Sequence, residues 1–250
     1  MSGETQYAVR SVLRVLDILD LLRQRPGGAT LKELAKVTEM PKSSVFRYLA
    51  TLESRGYVER LEQDGAFRLS AAFISTQAHH LELLANRARP RMEELRDRFG
   101  ETVNLAVLDD TRIVYLEIVE SRRSMRWVVA KGDREHLHST ALGKAVAMVL
   151  DDEEISSILE VEGMPARTER TIGDPDEFLR EIAAARIKGY AIDDEENEEG
   201  GRCLAVPIRG TNPKAALSLS APASRLSLDQ AEGIARVLDE AAELIAKEIV

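Results

Sequence analysis

Apolar residues recur with a helical period along the N-terminal part of the chain. Leu13, Leu16, Ile18, Leu19, Leu21 and Leu22 form a stripe that starts after Ser11 and stops at Pro26-Gly27-Gly28, which predicts a first helix. Thr30 stands three residues before Glu33, the capping-box spacing in which hydroxyl and carboxylate satisfy the free N–H groups of a helix start. A second helix follows through Leu31, Leu34, Ala35 and Val37. After the break at Glu39-Met40-Pro41 a third begins at Lys42, with Val45, Phe46, Leu49 and Leu52 as its packing face. Gly56 ends it. Residues 57–61 and 66–69 flank Asp64-Gly65, a hairpin signal because both residues accept positive φ. Three helices followed by a hairpin make a winged helix-turn-helix.

From residue 71 to 85 the pattern predicts an amphipathic linker helix carrying Phe73, Ile74, Ala78, Leu81 and Leu84, with Pro90 interrupting it before a further helix that ends at Gly100. The period then changes to two. Strands are expected at 103–107, 113–119, 126–130, 190–193, 203–209 and 215–221. Helices are expected at 140–150 and 152–159, after the Asp174-Pro175 cap as far as Gly189, and after Ser227. The chain therefore reads as α+β with two domains: a winged helix in 1–70, a linker helix in 71–86 and a mixed α/β domain in 87–250.

The net charge of −9 hides an asymmetry. The first 75 residues carry 11 Lys/Arg against 9 Asp/Glu, and the other 175 carry 23 against 34, so a phosphate-binding surface belongs to the first part. The single cysteine, Cys203, excludes an internal disulfide and any zinc site built on paired cysteines, and fits the reducing cytoplasm where the protein is expected. No apolar signal core opens the chain, and no stretch approaches the ~20 apolar residues of a membrane span, so no membrane partner is expected. No cofactor is called for.

A helix that reads DNA presents short polar and long cationic side chains near its N-terminal end while its other face stays apolar. Lys42, Ser43, Ser44, Arg47, Tyr48 and Thr51 meet that requirement on the third helix. Lys32 and Lys36 flank it, Arg60 and Arg68 belong to the wing, and Arg10 with Ser11 precedes the first helix. Each of these has a plainer reading as part of a solvated charged face.

The same stretches resemble the IclR family of bacterial transcription regulators. The resemblance rests on Arg10-Ser11, on residues 30–35 and 41–49, and on Gly56-Tyr57-Val58 in the first domain. In the second it rests on residues 137–145, on Gly189-Tyr190-Ala191 with Asp193, Glu195 and Glu196, and on 203–208 and 216–222. It implies a GAF-like second domain that binds a small carboxylic or aromatic acid or a sugar derivative. Ala141, Leu142, Gly143, Asp193, Cys203, Ser218 and Ser220 stand at the family's pocket positions. It also implies a homodimer or dimer of dimers on a double-stranded operator near a catabolic or transport operon, with Phe73, Ile74, Leu81 and Leu84 as a candidate apolar face for self-association.

The residues add chemistry to that picture. Ser218 and Ser220 lie two apart on one strand and so face one side, and amides around 139–143 at a helix start suit a carboxylate. Leu105, Trp127 and Val129 are candidates for an apolar wall. Simpler readings stand beside these: Cys203 as a small buried hydrophobe, Trp127 as core, Ser218 bonded to backbone, and the acidic run after Asp193 as a solvated loop. His79-His80 and His136 with His138 lack a third metal ligand. An acyl-transfer site from His138, Ser139 and Asp193 is the enzymatic alternative, but no nucleophile elbow, paired-carboxylate motif or phosphate loop accompanies it. A DNA-bound scaffold whose second domain only oligomerises is the other alternative.

Overall fold

The structure is a computed structural model that describes residues 9–61 and 65–249. It divides into two compact units, Met1–His80 and Leu81–Val250. Asp64 of the expected turn, and the side chains of Ile74, Ala78 and His79, lie outside what is described.

In the first unit, helices α1 (Arg10–Arg23), α2 (Leu31–Val37) and α3 (Lys42–Ser54) precede an antiparallel hairpin of β1 (Val58–Arg60) and β2 (Phe67–Leu69). The Thr30–Glu33 box forms as its spacing requires, with Glu33 N–H donating to the Thr30 hydroxyl at 3.3 Å and Thr30 N–H donating to the Glu33 carboxylate at 2.8 Å. Ile18, Leu22, Leu34, Val45, Leu49, Val58 and Phe67 close the core. Three expectations change here. Arg10 and Ser11 lie inside α1 rather than before it, and Leu13 and Leu16 face solvent with Val9 and Val12. Phe46 is not a packing residue: 52% of its surface is exposed.

Helix α4 (Ala71–Phe99) runs without a break through Pro90. Proline removes one backbone bond from a helix interior. Here Leu84, Ala88, Met92 and Leu95 are all buried in one cluster of the second unit, and that packing outweighs the loss. Leu84 is buried, Leu81 packs partly against the same cluster, and Phe73 packs into the winged-helix core. Leu84 is therefore used within the chain, and Leu81 and Phe73 are so in part.

The second unit is a six-stranded sheet of order β5-β4-β3-β8-β7-β6, every pairing antiparallel. Its strands are β3 (Thr102–Asp109), β4 (Arg112–Val119), β5 (Arg134–Glu135), β6 (Ala191–Asp194), β7 (Gly201–Ile208) and β8 (Ala215–Pro222). Helices α4 and α8 (Ala231–Ile249) pack on one face; α5 (Ala141–Ala147), α6 (Asp152–Glu162) and α7 (Pro175–Lys188) pack on the other. Residues 126–130 do not join the sheet, and the edge partner of β4 is β5 instead. Among the described residues no helix is long and apolar enough to cross a membrane.

Candidate recognition helix and ligand cavity

Burial sorts the polar residues of α3. Lys42, Ser43, Arg47 and Thr51 are exposed, Ser44 and Tyr48 are half-buried, and the Thr51 hydroxyl donates to the Arg47 carbonyl at 2.8 Å. Among the described residues Lys42 and Arg47 have no acidic partner, and Lys32 and Arg10 are likewise exposed and unpaired. The wing differs. Arg68 pairs with Glu59 at 2.6 Å across the hairpin, and the Arg60 guanidinium lies 5.7 Å from the centre of the Phe67 ring. Sequence reasoning missed Phe46, which shares the exposed face of α3 with Ser43, Arg47 and Ala50.

In the second unit both faces of the sheet are covered, so alternation decides what each strand residue meets. Val103, Leu105 and Val107 of β3 and Leu217 and Leu219 of β8 point toward α4 and α8. Thr102, Asn104, Ser218 and Ser220 point the other way and line a cavity of ≈ 170 Å³. Register places Thr102 opposite Ser220, Ser220 opposite Cys203, and Cys203 opposite Asp193, so one polar row crosses four strands. Asn104 opposite Ser218 begins the adjacent row, which continues to Ala205 and Ala191.

Of the residues named from sequence, Ala141, Leu142, Asp193, Cys203, Ser218 and Ser220 meet on this cavity, with Trp127 and Val129 on its wall. Gly143 is not on the lining. Its N–H donates to the Thr140 hydroxyl at 3.0 Å, and a Cβ there would stand 2.2 Å from the Leu137 carbonyl oxygen. Its smallness serves packing of α5, and its amide is not free for a ligand. Leu105 faces away from the cavity; the β3 residues that line it are Thr102 and Asn104, which the sequence reading did not name.

The floor is a hydrogen-bonded set. Asn104 Nδ2 donates to Ser218 Oγ at 3.2 Å and to Ser220 Oγ at 2.9 Å, and the Cys203 thiol donates to Ser220 Oγ at 3.1 Å. Asn104 Oδ1 is buried and has no hydrogen-bond partner among the described residues. Burial pushes the Cys203 thiol up, which keeps it protonated as that donor. Asp193 accepts the N–H groups of Glu196 and Asn197 at 2.8 and 3.2 Å, yet burial, the larger influence, raises its carboxyl to about 7. The acidic segment is a solvated loop only at Glu198 and Glu199. Glu196 is buried against Lys144 Nζ at 2.5 Å, a fully buried lysine on α5, and Asp194 pairs with Arg170 and Arg202.

From the segment 120–133, Trp127, Val128, Val129 and Asp133 line the cavity and form its cover. The Trp127 indole packs on Gly201, where any Cβ would meet its ring at 2.8 Å. Lys131 reaches Glu117 of β4 at 2.6 Å, and that buried carboxylate also holds Arg89 of α4 at 2.9 Å. Two ion pairs on one carboxylate thus link this segment to the long helix. Arg167, at the mouth, is exposed. The acyl-transfer arrangement does not assemble: Ser139 Oγ donates to Asn197 Oδ1 at 2.9 Å, His138 Nε2 meets the Pro165 carbonyl at 3.2 Å, and Asp193 Oδ1 accepts backbone amides rather than a histidine.

A winged helix with an unpaired cationic helix face, followed by a domain built around a polar cavity, defines the class of DNA-binding transcription regulators with an effector domain. Comparison with known proteins gives the family. The IclR helix-turn-helix domain matches residues 11–62, and the C-terminal domain of the bacterial transcriptional regulator IclR matches residues 76–247. The chain is 36% identical over 247 residues to the HTH-type transcriptional regulator KdgR of Dickeya chrysanthemi, covering 97% of this chain and 80% of that protein. It is 34% identical over 242 residues to the acetate operon repressor of Salmonella typhimurium, covering 94% and 88%. The crystal structure of the Thermotoga maritima IclR superimposes with a TM-score of 0.65 at 30% identity, covering 96% of this chain and 98% of that one. The protein belongs to the IclR family of transcription regulators.

Proposed function

We propose that this regulator binds a double-stranded operator through α3 and the wing, that a small organic acid in the second-unit cavity sets its operator affinity, and that it performs no catalysis. In this reading residues 1–70 hold the DNA, 71–86 link, and 87–250 take the effector. Lys42, Ser43 and Arg47 reach base edges and phosphates, with Ser44, Tyr48 and Thr51 beside them and Lys32, Arg10 and Ser11 at the backbone. Arg68 joins them by exchanging Glu59 for a phosphate. A homodimer suits a pseudo-palindromic operator, and the exposed stripe of Val9, just before α1, with Val12, Leu13 and Leu16 on it supports self-association. A dimer of dimers on the control region of a catabolic or transport operon is the fuller form of the proposal.

The observation that carries the effector reading is the hydrogen-bond accounting of the cavity floor. Ser220 Oγ accepts from both Asn104 and Cys203, which leaves its own proton to donate, while buried Asn104 Oδ1 waits for a donor. A ligand with carboxylate oxygens and a hydroxyl answers both. The volume, ≈ 170 Å³, compares with the ~150 Å³ that admits a benzene ring, so a short hydroxy acid or a single-ring aromatic acid is of the right size.

The test is fluorescence anisotropy at fixed salt with DNA upstream of the protein's own and neighbouring genes, against unrelated competitor DNA, with and without such acids. Operator binding that an acid shifts supports the proposal. Binding no tighter than to competitor under every condition overturns it. Ser220→Val is expected to blunt the acid response without altering operator affinity, and a normal response in that variant removes Ser220 from the site.

A further inference from the structure

The winged-helix unit carries an aromatic side chain that its own packing does not explain. Phe46 leaves 52% of its surface in solvent, although α3 buries Val45, Leu49 and Leu52. Side chains three and four apart on a helix are neighbours. Ser43, Phe46, Arg47 and Ala50, all exposed, therefore form one continuous patch: a hydroxyl, an aromatic ring, a guanidinium and a methyl group. Lys42 lies one residue before it, and among the described residues neither cation has an acidic partner.

A ring beside two unpaired cations is a poor seat for an apolar protein surface, because covering it would desolvate those charges without compensation. It suits a polyanion that itself presents apolar groups. In the major groove of DNA the one apolar group on a base edge is the C5 methyl of thymine. The geometry points to Phe46 as a base-reading residue whose ring packs on a thymine methyl in the operator, with Arg47 beside it supplying the polar contact. The inference rests on α3 being the DNA-reading helix. It adds a specificity for thymine that no polar residue of the patch supplies.

The test uses the full chain and duplexes selected by it from a random-sequence pool. Each thymine of the selected duplex is replaced in turn by deoxyuridine, which removes the methyl group and leaves base pairing and phosphates intact. At one or more positions the wild-type protein is expected to lose affinity roughly fourfold, the worth of one buried methyl. Phe46→Ala is expected to bind the selected duplex more weakly than wild type and to treat thymine and deoxyuridine there alike. Phe46→Leu, which keeps an apolar tip, retains part of the discrimination. Because the ring is exposed, its removal is expected to leave the melting temperature unchanged, which separates a contact effect from unfolding.

Wild-type indifference to every deoxyuridine replacement overturns the inference. So does an undiminished methyl effect in Phe46→Ala, or an equal loss of affinity for selected and unselected duplexes. Arg47→Ala separates the two levels of the argument. If that variant binds the selected duplex as wild type does, α3 does not read DNA and the underlying reading fails. If it binds weakly while no methyl effect is found, the role of Phe46 alone is overturned.

Discussion

Asp193→Asn tests the cavity's electrostatics through stability. Asp193 sits on β6 with 4% of its surface exposed, and burial raises its carboxyl from the usual 3.8 to about 7, with Glu196 adding to the rise and Lys144 opposing it. The folded state thus holds the proton at pH values where the unfolded chain has released it. Stability from this group is full below about pH 3.8 and is lost as pH rises toward 7, because the unfolded state binds fewer protons throughout that window. At roughly 1.4 kcal/mol per pH unit, the cost of carrying the ionised carboxylate approaches roughly 4 kcal/mol above neutrality. Asparagine keeps an oxygen for the Glu196 and Asn197 amides and cannot ionise. The stability difference, variant minus wild type, is therefore expected to widen by roughly 2–3 kcal/mol from pH 5 to pH 8, most of it below pH 7. Using the difference cancels the titration of other groups. Urea unfolding followed by the fluorescence of Trp127, the chain's one tryptophan, reports on the second unit specifically. Curves for the two proteins that stay parallel across this range would refute the reasoning and place the carboxyl near its ordinary value.

Two further predictions concern packing and the ion pairs of Glu117. Gly143→Ala drives a methyl against the Leu137 carbonyl and is expected to cost about 3 kcal/mol or more, whereas Gly233→Ala, with nothing within 4 Å in α8, is expected to stabilise by about 0.5–1 kcal/mol; thermal unfolding of the two variants checks both signs. Glu117→Gln removes the charge shared by Arg89 and Lys131, and since both cations are about half exposed the expected loss is about 1–2 kcal/mol in urea unfolding. Hydrogen exchange in 120–133 is expected to quicken in that variant, and unchanged exchange there would show that these pairs do not hold the cover.

The parts of the fold that were legible in the sequence are those written in local chemistry. Thr30 with Glu33, and Asp174 followed by Pro175, cap helices from within four residues of chain, and Gly189 ends α7 at φ 86 where a side chain would be strained. The cavity residues on β8 were legible for a related reason: Ser218 and Ser220 are the polar positions on a strand that is otherwise alanine, leucine and proline, and a spacing of two fixes their common side. The rest depends on partners far along the chain. Phe46 follows Val45 directly, and two adjacent helix residues point about 100° apart, so one of them can turn to solvent while the other packs; periodicity alone does not say which. Leu105 and Asn104 pose the same question on a strand covered on both faces, where hydrophobicity no longer marks the buried side. Pro90 argued for a break because its local cost is visible, while the cluster that keeps α4 helical through it comes from β3, β7, β8 and α8.

Lys144 and Glu196 are the sharpest case of this limit. Each reads alone as a surface charge, lysine on a short helix and glutamate in an acidic run, and burying either one unpaired would be prohibitive. Together, 52 residues apart in sequence and 2.5 Å apart in space, they bring the turn that follows β6 against α5. That turn fixes Asp193 through the amides of Glu196 and Asn197, and Asn197 in turn accepts from Ser139 just before α5. The residues that face the ligand space are thus set by a buried pair that does not face it. A pattern of single positions cannot disclose such a pair, because its signal lies in the mutual compensation of two charges rather than in either residue's own preference.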